Sequence, residues 1–118
     1  MAKLIHRPTG RVLAERLEVA SATLERMRGL LGRDGLPPGG GMLIERCYSI
    51  HTFFMRFSLD VIFLDSDGMV RKVVQNLRPW RMASCWGACA VAELPAGALD
   101  GVSVLPGDRL SIEERTGL

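Results

Sequence analysis

Long apolar runs are missing from this chain of 118 residues. No stretch approaches the roughly 20 consecutive apolar side chains that a membrane helix needs. The opening segment, MAKLIHRPTGRVLAERLEVA, scatters charge throughout and has no apolar run long enough for a signal peptide, so a cytoplasmic location is expected. Basic blocks are missing too. Residues 1–59 carry nine basic and five acidic side chains, and residues 60–118 carry six and eight. A net charge of +2 spread that evenly gives no reason to expect a nucleic-acid partner. Histidine is scarce, with only His6 and His51 available for acid–base chemistry near neutral pH. Cysteine is limited to Cys47, Cys85 and Cys89. An odd number without an export signal predicts free thiols, not a disulfide framework. No internal repeat occurs, and at this length one domain spanning residues 1–118 is expected.

Aromatic residues are few, yet all four phenylalanines and the single tyrosine fall within Tyr48–Asp65, YSIHTFFMRFSLDVIFLD. This stretch has no proline or glycine and is rich in β-branched and aromatic side chains, so it reads as two strands. With a side-chain period of two, His51, Phe53, Met55 and Phe57 share one face, and Ile50, Thr52, Phe54 and Arg56 the other. Apolar groups on both faces predict an inner strand covered twice, and Val61–Leu64 repeats the pattern. Burying one such side chain is worth about 1.5–3 kcal/mol. The polar exceptions His51, Thr52, Arg56, Ser58 and Asp60 therefore need partners.

The remaining elements follow from turns and periodicity. Lys3–His6 reads as a short strand ended by Pro8-Thr9-Gly10, and Arg11–Val19 as a half-buried strand. Ser21 caps an expected helix running to about Leu31, with Leu24, Met27 and Leu31 on its buried stripe. Asp34–Gly41, DGLPPGGG, is a connecting loop and lacks the lysine and following helix of a phosphate-gripping motif. Asp65-Ser66-Asp67-Gly68 is a hairpin turn into a strand at Met69–Asn76. Arg78–Ala88 is irregular and holds both tryptophans. Cys89–Leu94, Val102–Leu105 and Arg109–Glu113 complete the strands. Seven or eight short strands with one short helix predict an all-β domain, mostly antiparallel, built as a compact sandwich or jelly-roll-like form or a partly closed barrel.

Several short pieces stand in order along the chain: Arg28-Gly29-Leu30-Leu31, Gly41-Met42-Leu43, Phe54-Met55, and Leu59-Asp60-Val61-Ile62-Phe63-Leu64-Asp65. Asp67-Gly68, Glu93-Leu94-Pro95-Ala96-Gly97 and Pro106-Gly107-Asp108 follow. Taken together, from about residue 15 to 113, the chain resembles the bacterial and archaeal family catalogued as domain of unknown function 192. The resemblance implies a compact β-domain with one helix, and no established activity.

Candidate chemistry gathers around the central stretch. Cys47, His51, Cys85 and Cys89 are four ligand types suited to zinc, but Cys47 and His51 lie roughly 13 Å apart along a strand and Cys85-x3-Cys89 is not the usual knuckle. No metal and no cofactor are expected. Asp60 begins a doubly buried strand and needs a partner. Arg56 supplies one, either as a structural ion pair or as half of a ligand-reading pair. Trp80 and Arg81 suit stacking and cation–π recognition, although tryptophan also packs cores. The leading expectation is a small-ligand- or protein-binding accessory domain whose pocket draws on His51, Thr52, Phe54, Arg56, Asp60, Trp80 and Arg81. The alternative is a small cytoplasmic hydrolase using His51 and Asp60 with a cysteine.

Overall fold

A computed structural model describes residues 2–20 and 35–114. The expected helix from Ser21 to about Leu31 lies outside the described residues. Nine strands are described: β1 (Ala2–His6), β2 (Arg11–Ala20), β3 (Gly40–Glu45), β4 (Ser49–His51), β5 (Leu59–Leu64), β6 (Val70–Leu77), β7 (Met82–Ser84), β8 (Ala90–Pro95) and β9 (Leu110–Glu114). Seven of them form one sheet in the order β6-β5-β8-β3-β2-β1-β9, and β4 and β7 pair as a separate two-stranded flap. Every described pairing is antiparallel except β2 with β3.

The sheet curls until its two edges meet at one corner. Val70 N–H donates to the Asp108 carbonyl at 2.7 Å, Gly107 N–H to the Val70 carbonyl at 2.8 Å, and Leu110 N–H to the Gly68 carbonyl at 2.9 Å. The result is an all-β half-barrel, which limits the exposed strand edge that would otherwise invite foreign pairing. Inside the curl lie Leu4, Leu17, Leu43, Ile62, Leu94 and Leu110. The outer face carries a second cluster, including Met42, Ile44, Ile50, Leu59, Val61, Phe63 and Val91. Strand β5 separates the two. Its six residues are all buried, with Leu59, Val61 and Phe63 turned to the outer cluster and Ile62 and Leu64 to the inner one. The doubly covered strand expected at Val61–Leu64 is thus present.

Gly41 shows how tightly the layers meet. A Cβ there would come within 2.9 Å of Leu94 Cδ2 and 3.3 Å of both Ala14 Cβ and the Glu93 carbonyl. The glycine-rich connection before it is tied to β2, where Arg16 Nη2 donates to the Pro38 carbonyl at 2.8 Å.

Two strand expectations need correction. The segment after Ile50 does not continue as a strand: β4 ends at His51, and Phe54 takes a left-handed φ of 67° that breaks the two-residue alternation. Val102–Leu105 is irregular, because Val102 N–H bonds back to Leu99 and Leu105 N–H to the Asp108 carboxylate. Conversely, β7 forms within the segment read as irregular.

Candidate functional site: an aromatic flap

The flap is built by simple alternation. Ile50 and Ala83 face each other across β4 and β7 and are buried in the outer core. Ser49 and Ser84 join hydroxyls at 2.8 Å, and His51 pairs with Met82. Met82 is 63% exposed.

Thr52 fixes the segment beyond the flap. It is fully buried, and its N–H donates to the Arg81 carbonyl at 2.8 Å. Its carbonyl accepts the Trp80 N–H at 3.0 Å, and its hydroxyl donates to the Arg78 carbonyl at 2.6 Å while accepting the Arg81 N–H at 2.9 Å. Every polar group of Thr52 is therefore used to hold residues 78–81 against the 52–55 turn. Held there, Trp80 meets Phe54 at 4.7 Å between ring centroids and Phe53 at 5.9 Å, and Phe53 stacks on His51 at 4.9 Å. A second stack, Tyr48 on Trp86 at 5.3 Å, stands at the other end of the flap.

Phe54 and Trp80 share an unusual backbone. Both have positive φ, 67° and 63°, a conformation that costs a side-chain-bearing residue about 1–2 kcal/mol. Neither recovers that cost by burial, since Phe54 is 70% and Trp80 55% exposed. Two strained residues holding large rings in water are an observation that packing does not explain.

Of the residues expected to line one pocket, His51, Thr52, Phe54, Trp80 and Arg81 come together here. Asp60 does not join them. It is buried at the start of β5, where Oδ1 accepts the Asn76 N–H at 2.9 Å and Oδ2 accepts the Gly97 and Leu99 N–H groups at 3.1 Å each. Three backbone donors thus satisfy Asp60 where the Arg56 guanidinium was expected. Arg56 is exposed on the connection between the flap and β5. Residues 52–55 and 78–81 hold the rings of Phe54 and Trp80 exposed beside the flap. A groove of about 680 Å³ lies between β6 and the 99–105 loop.

His51 Nδ1 accepts the Phe53 N–H at 3.3 Å. Among the described residues no carboxylate or thiol reaches its ring. The histidine that does meet a carboxylate is His6, at the end of β1. His6 is buried, with Nε2 2.8 Å from Asp108 Oδ2 and Nδ1 2.8 Å from Thr9 Oγ1. The His6 hydrogen bond, followed by that from Leu105 N–H, holds the Asp108 carboxyl below its ordinary value. This latch ties the β1–β2 turn to the turn before β9. Its signal was the pair of turns Pro8-Thr9-Gly10 and Pro106-Gly107-Asp108. Also missed were Phe53 and Met82, and the alternation of Met82 and Ser84 around Ala83 was the pointer to β7.

Among the described residues no three His, Cys, Asp or Glu side chains are grouped to hold a metal ion. Cys47, Cys85 and Cys89 form no disulfide; Cys47 is buried with its Sγ donating to the Ser49 carbonyl at 3.1 Å, and Cys89 is exposed. No described helix is long and apolar enough to cross a membrane.

A model of the family of uncharacterised ACR proteins, domain of unknown function 192, matches residues 4–112. The chain belongs to this family. Among its relatives, a UPF0127 protein of Thermococcus sibiricus is 35% identical, covering 93% of this chain and 74% of the relative. A UPF0127 protein of Pyrococcus abyssi is 34% identical over 80% of this chain and 84% of its own length. A solved structure from Sinorhizobium meliloti, described as a "putative transcription regulator", superposes with a TM-score of 0.78 at 30% identity, covering 93% of this chain and 90% of that one. A protein of unknown function from Novosphingobium aromaticivorans shares the fold, with a TM-score of 0.78 at 24% identity over 93% of this chain and 82% of its own.

Proposed function

We propose that this chain is a binding module, not an enzyme, and that its ligand is held on the aromatic flap by stacking. The observation that carries the reading is the Phe54–Trp80 pair: two exposed rings 4.7 Å apart, each on a left-handed backbone that glycine would adopt without strain. Strain kept at exposed aromatic positions is what a preorganised recognition surface requires, because the ordering cost is met before the ligand arrives. His51, Phe53 and Met82 extend the surface, and Arg81 flanks it with its guanidinium on the Trp80 carbonyl at 3.3 Å.

The hydrolase alternative draws less support. Catalysis by His51 needs a base–orienter contact, whereas its ring accepts only a backbone N–H among the described residues. Asp60 has both carboxylate oxygens occupied.

The planar apolar anion anilinonaphthalene sulfonate tests the reading as a fluorescent probe. Native protein is expected to enhance its emission, and the Phe54→Ser/Trp80→Ser double variant to lose that enhancement while unfolding cooperatively. Equal enhancement by both folded proteins would refute the flap as the binding face.

A further inference from the structure

We infer that the ligand of the aromatic flap is single-stranded nucleic acid. This rests on the reading above that the flap is the binding face. The overall charge conceals an uneven distribution. The two segments that build and brace the flap, Arg46–Leu59 and Met69–Ala92, contain six basic residues and no acidic one. They hold six of the fifteen basic side chains and none of the thirteen acidic ones, so the rest of the chain is net acidic.

Contacts place two of these cations at the flap, and two more stand on the segment that carries Trp80. Lys72 Nζ donates to the Ser84 carbonyl on β7 at 2.9 Å, between the two stacks. The Arg71 guanidinium stands over the turn after Trp86, where a Cβ on Gly87 would come within 3.0 Å of its Nη2. Arg78 and Arg81 are exposed on the segment that Thr52 clamps on either side of Trp80. Asp65 lines a groove with Arg71 and Trp86. Its Oδ1 is committed to the N–H groups of Asp67 and Met69.

Rings with cations alongside are what a base-stacking, phosphate-tracking surface uses. Tyr48 and His51 are three residues apart, so the two stacks they begin are separated by about 10 Å along the chain. One base cannot touch both, and each stack serves a different base of one strand. An acidic peptide would use the cations but leave the rings idle, and an apolar partner would leave the cations unmatched. A double helix hides its base faces, so a single strand is preferred. The expectation that nucleic acid is not a partner followed from net charge, and the placement of that charge along the chain is the ground for the opposite proposal.

The test is fluorescence anisotropy of a labelled oligothymidylate of about twelve nucleotides with the full chain, at low and moderate salt. Binding is expected to exceed that of the matching duplex. Trp80→Ala is expected to weaken it about 5- to 150-fold, the factor for one lost base–aromatic stack. Trp86→Ala should act similarly. With about three phosphates engaged, log affinity should fall against log salt with a slope of about −2 for a single strand. Arg78→Ala/Arg81→Ala should make that slope shallower by about one. Each variant is checked for cooperative unfolding. No binding at about 100 μM protein in low salt, tighter binding of the duplex, or equal competition by polyglutamate would overturn the inference. So would unchanged affinity in both tryptophan variants. If the oligonucleotide fails while anilinonaphthalene sulfonate still binds through Phe54 and Trp80, the nucleic-acid inference falls and the flap reading stands.

Discussion

Replacing Asp60 by asparagine separates a structural carboxylate from half of an ion pair. The side chain is 1% exposed, and three backbone N–H groups point at it. Asparagine offers one acceptor oxygen of the same size. Turned toward Gly97 and Leu99, it keeps two bonds, loses the one from Asn76 and aims its own NH2 at that N–H. Turned the other way it loses two. The cheaper orientation forfeits one charge-assisted bond of about 1.5–3 kcal/mol and leaves a buried donor unsatisfied for about 1–3 more. Asp60→Asn should therefore cost about 3–5 kcal/mol in urea unfolding, a large share of a domain's usual 5–15 or so. Arg56→Ala, measured alone and with Asp60→Asn, should show a coupling below about 0.5 kcal/mol, as for groups that share no bond. A loss under about 1 kcal/mol for Asp60→Asn would refute the three-donor account. Coupling of about 3 kcal/mol or more would restore the Arg56–Asp60 pair.

Phe54→Gly should leave stability within about 1 kcal/mol of the parent, because relief of the left-handed strain offsets the lost ring contact. By the same urea assay Phe63→Ala should cost about 3–5 kcal/mol, being fully buried in the outer core. Gly41→Ala should destabilise by about 1–3 kcal/mol, since its Cβ would meet Leu94, Ala14 and Glu93 within 3.3 Å. The His6–Asp108 latch predicts a pH dependence. A carboxyl held below its ordinary 3.8 adds stability that is present above that value and lost as pH falls through the folded-state value. The stability difference between the parent and Asp108→Asn, followed by urea unfolding from about pH 5 to about pH 2, should shrink on acidification. A difference independent of pH would remove the latch from the account.

What could be read from the sequence tracks what short-range chemistry decides. The strands at β1, β2, β5 and β6 and the turns at Asp65–Gly68 and Pro106–Asp108 follow from local periodicity and turn residues. Leu59–Leu64 shows itself as doubly buried because apolar residues occupy both parities. The flap was less legible. The run Ile50–Phe57 alternates like a strand, but Thr52 gives its backbone and hydroxyl bonds to Arg78, Trp80 and Arg81, residues 26 to 29 positions away. No local pattern encodes such a partner, and Phe54, two residues on, takes a left-handed φ of 67° that alternation does not foretell. Asp60 was flagged as needing a partner, but nothing in its neighbours names the N–H groups of Gly97 and Leu99. The cations around the flap were invisible in the charge totals, because acidic residues elsewhere in the chain balance them.

The claim that binding is seated on the flap is tested most directly by amide and indole shift mapping of the 15N-labelled chain during titration with anilinonaphthalene sulfonate. The account predicts shifts at the Trp80 indole N–H and at the amides of His51, Phe53, Phe54, Arg81 and Met82, with the groove lined by Val73, Gln75 and Val102 unmoved. Shifts gathered in that groove, with the Trp80 indole unmoved, would contradict it.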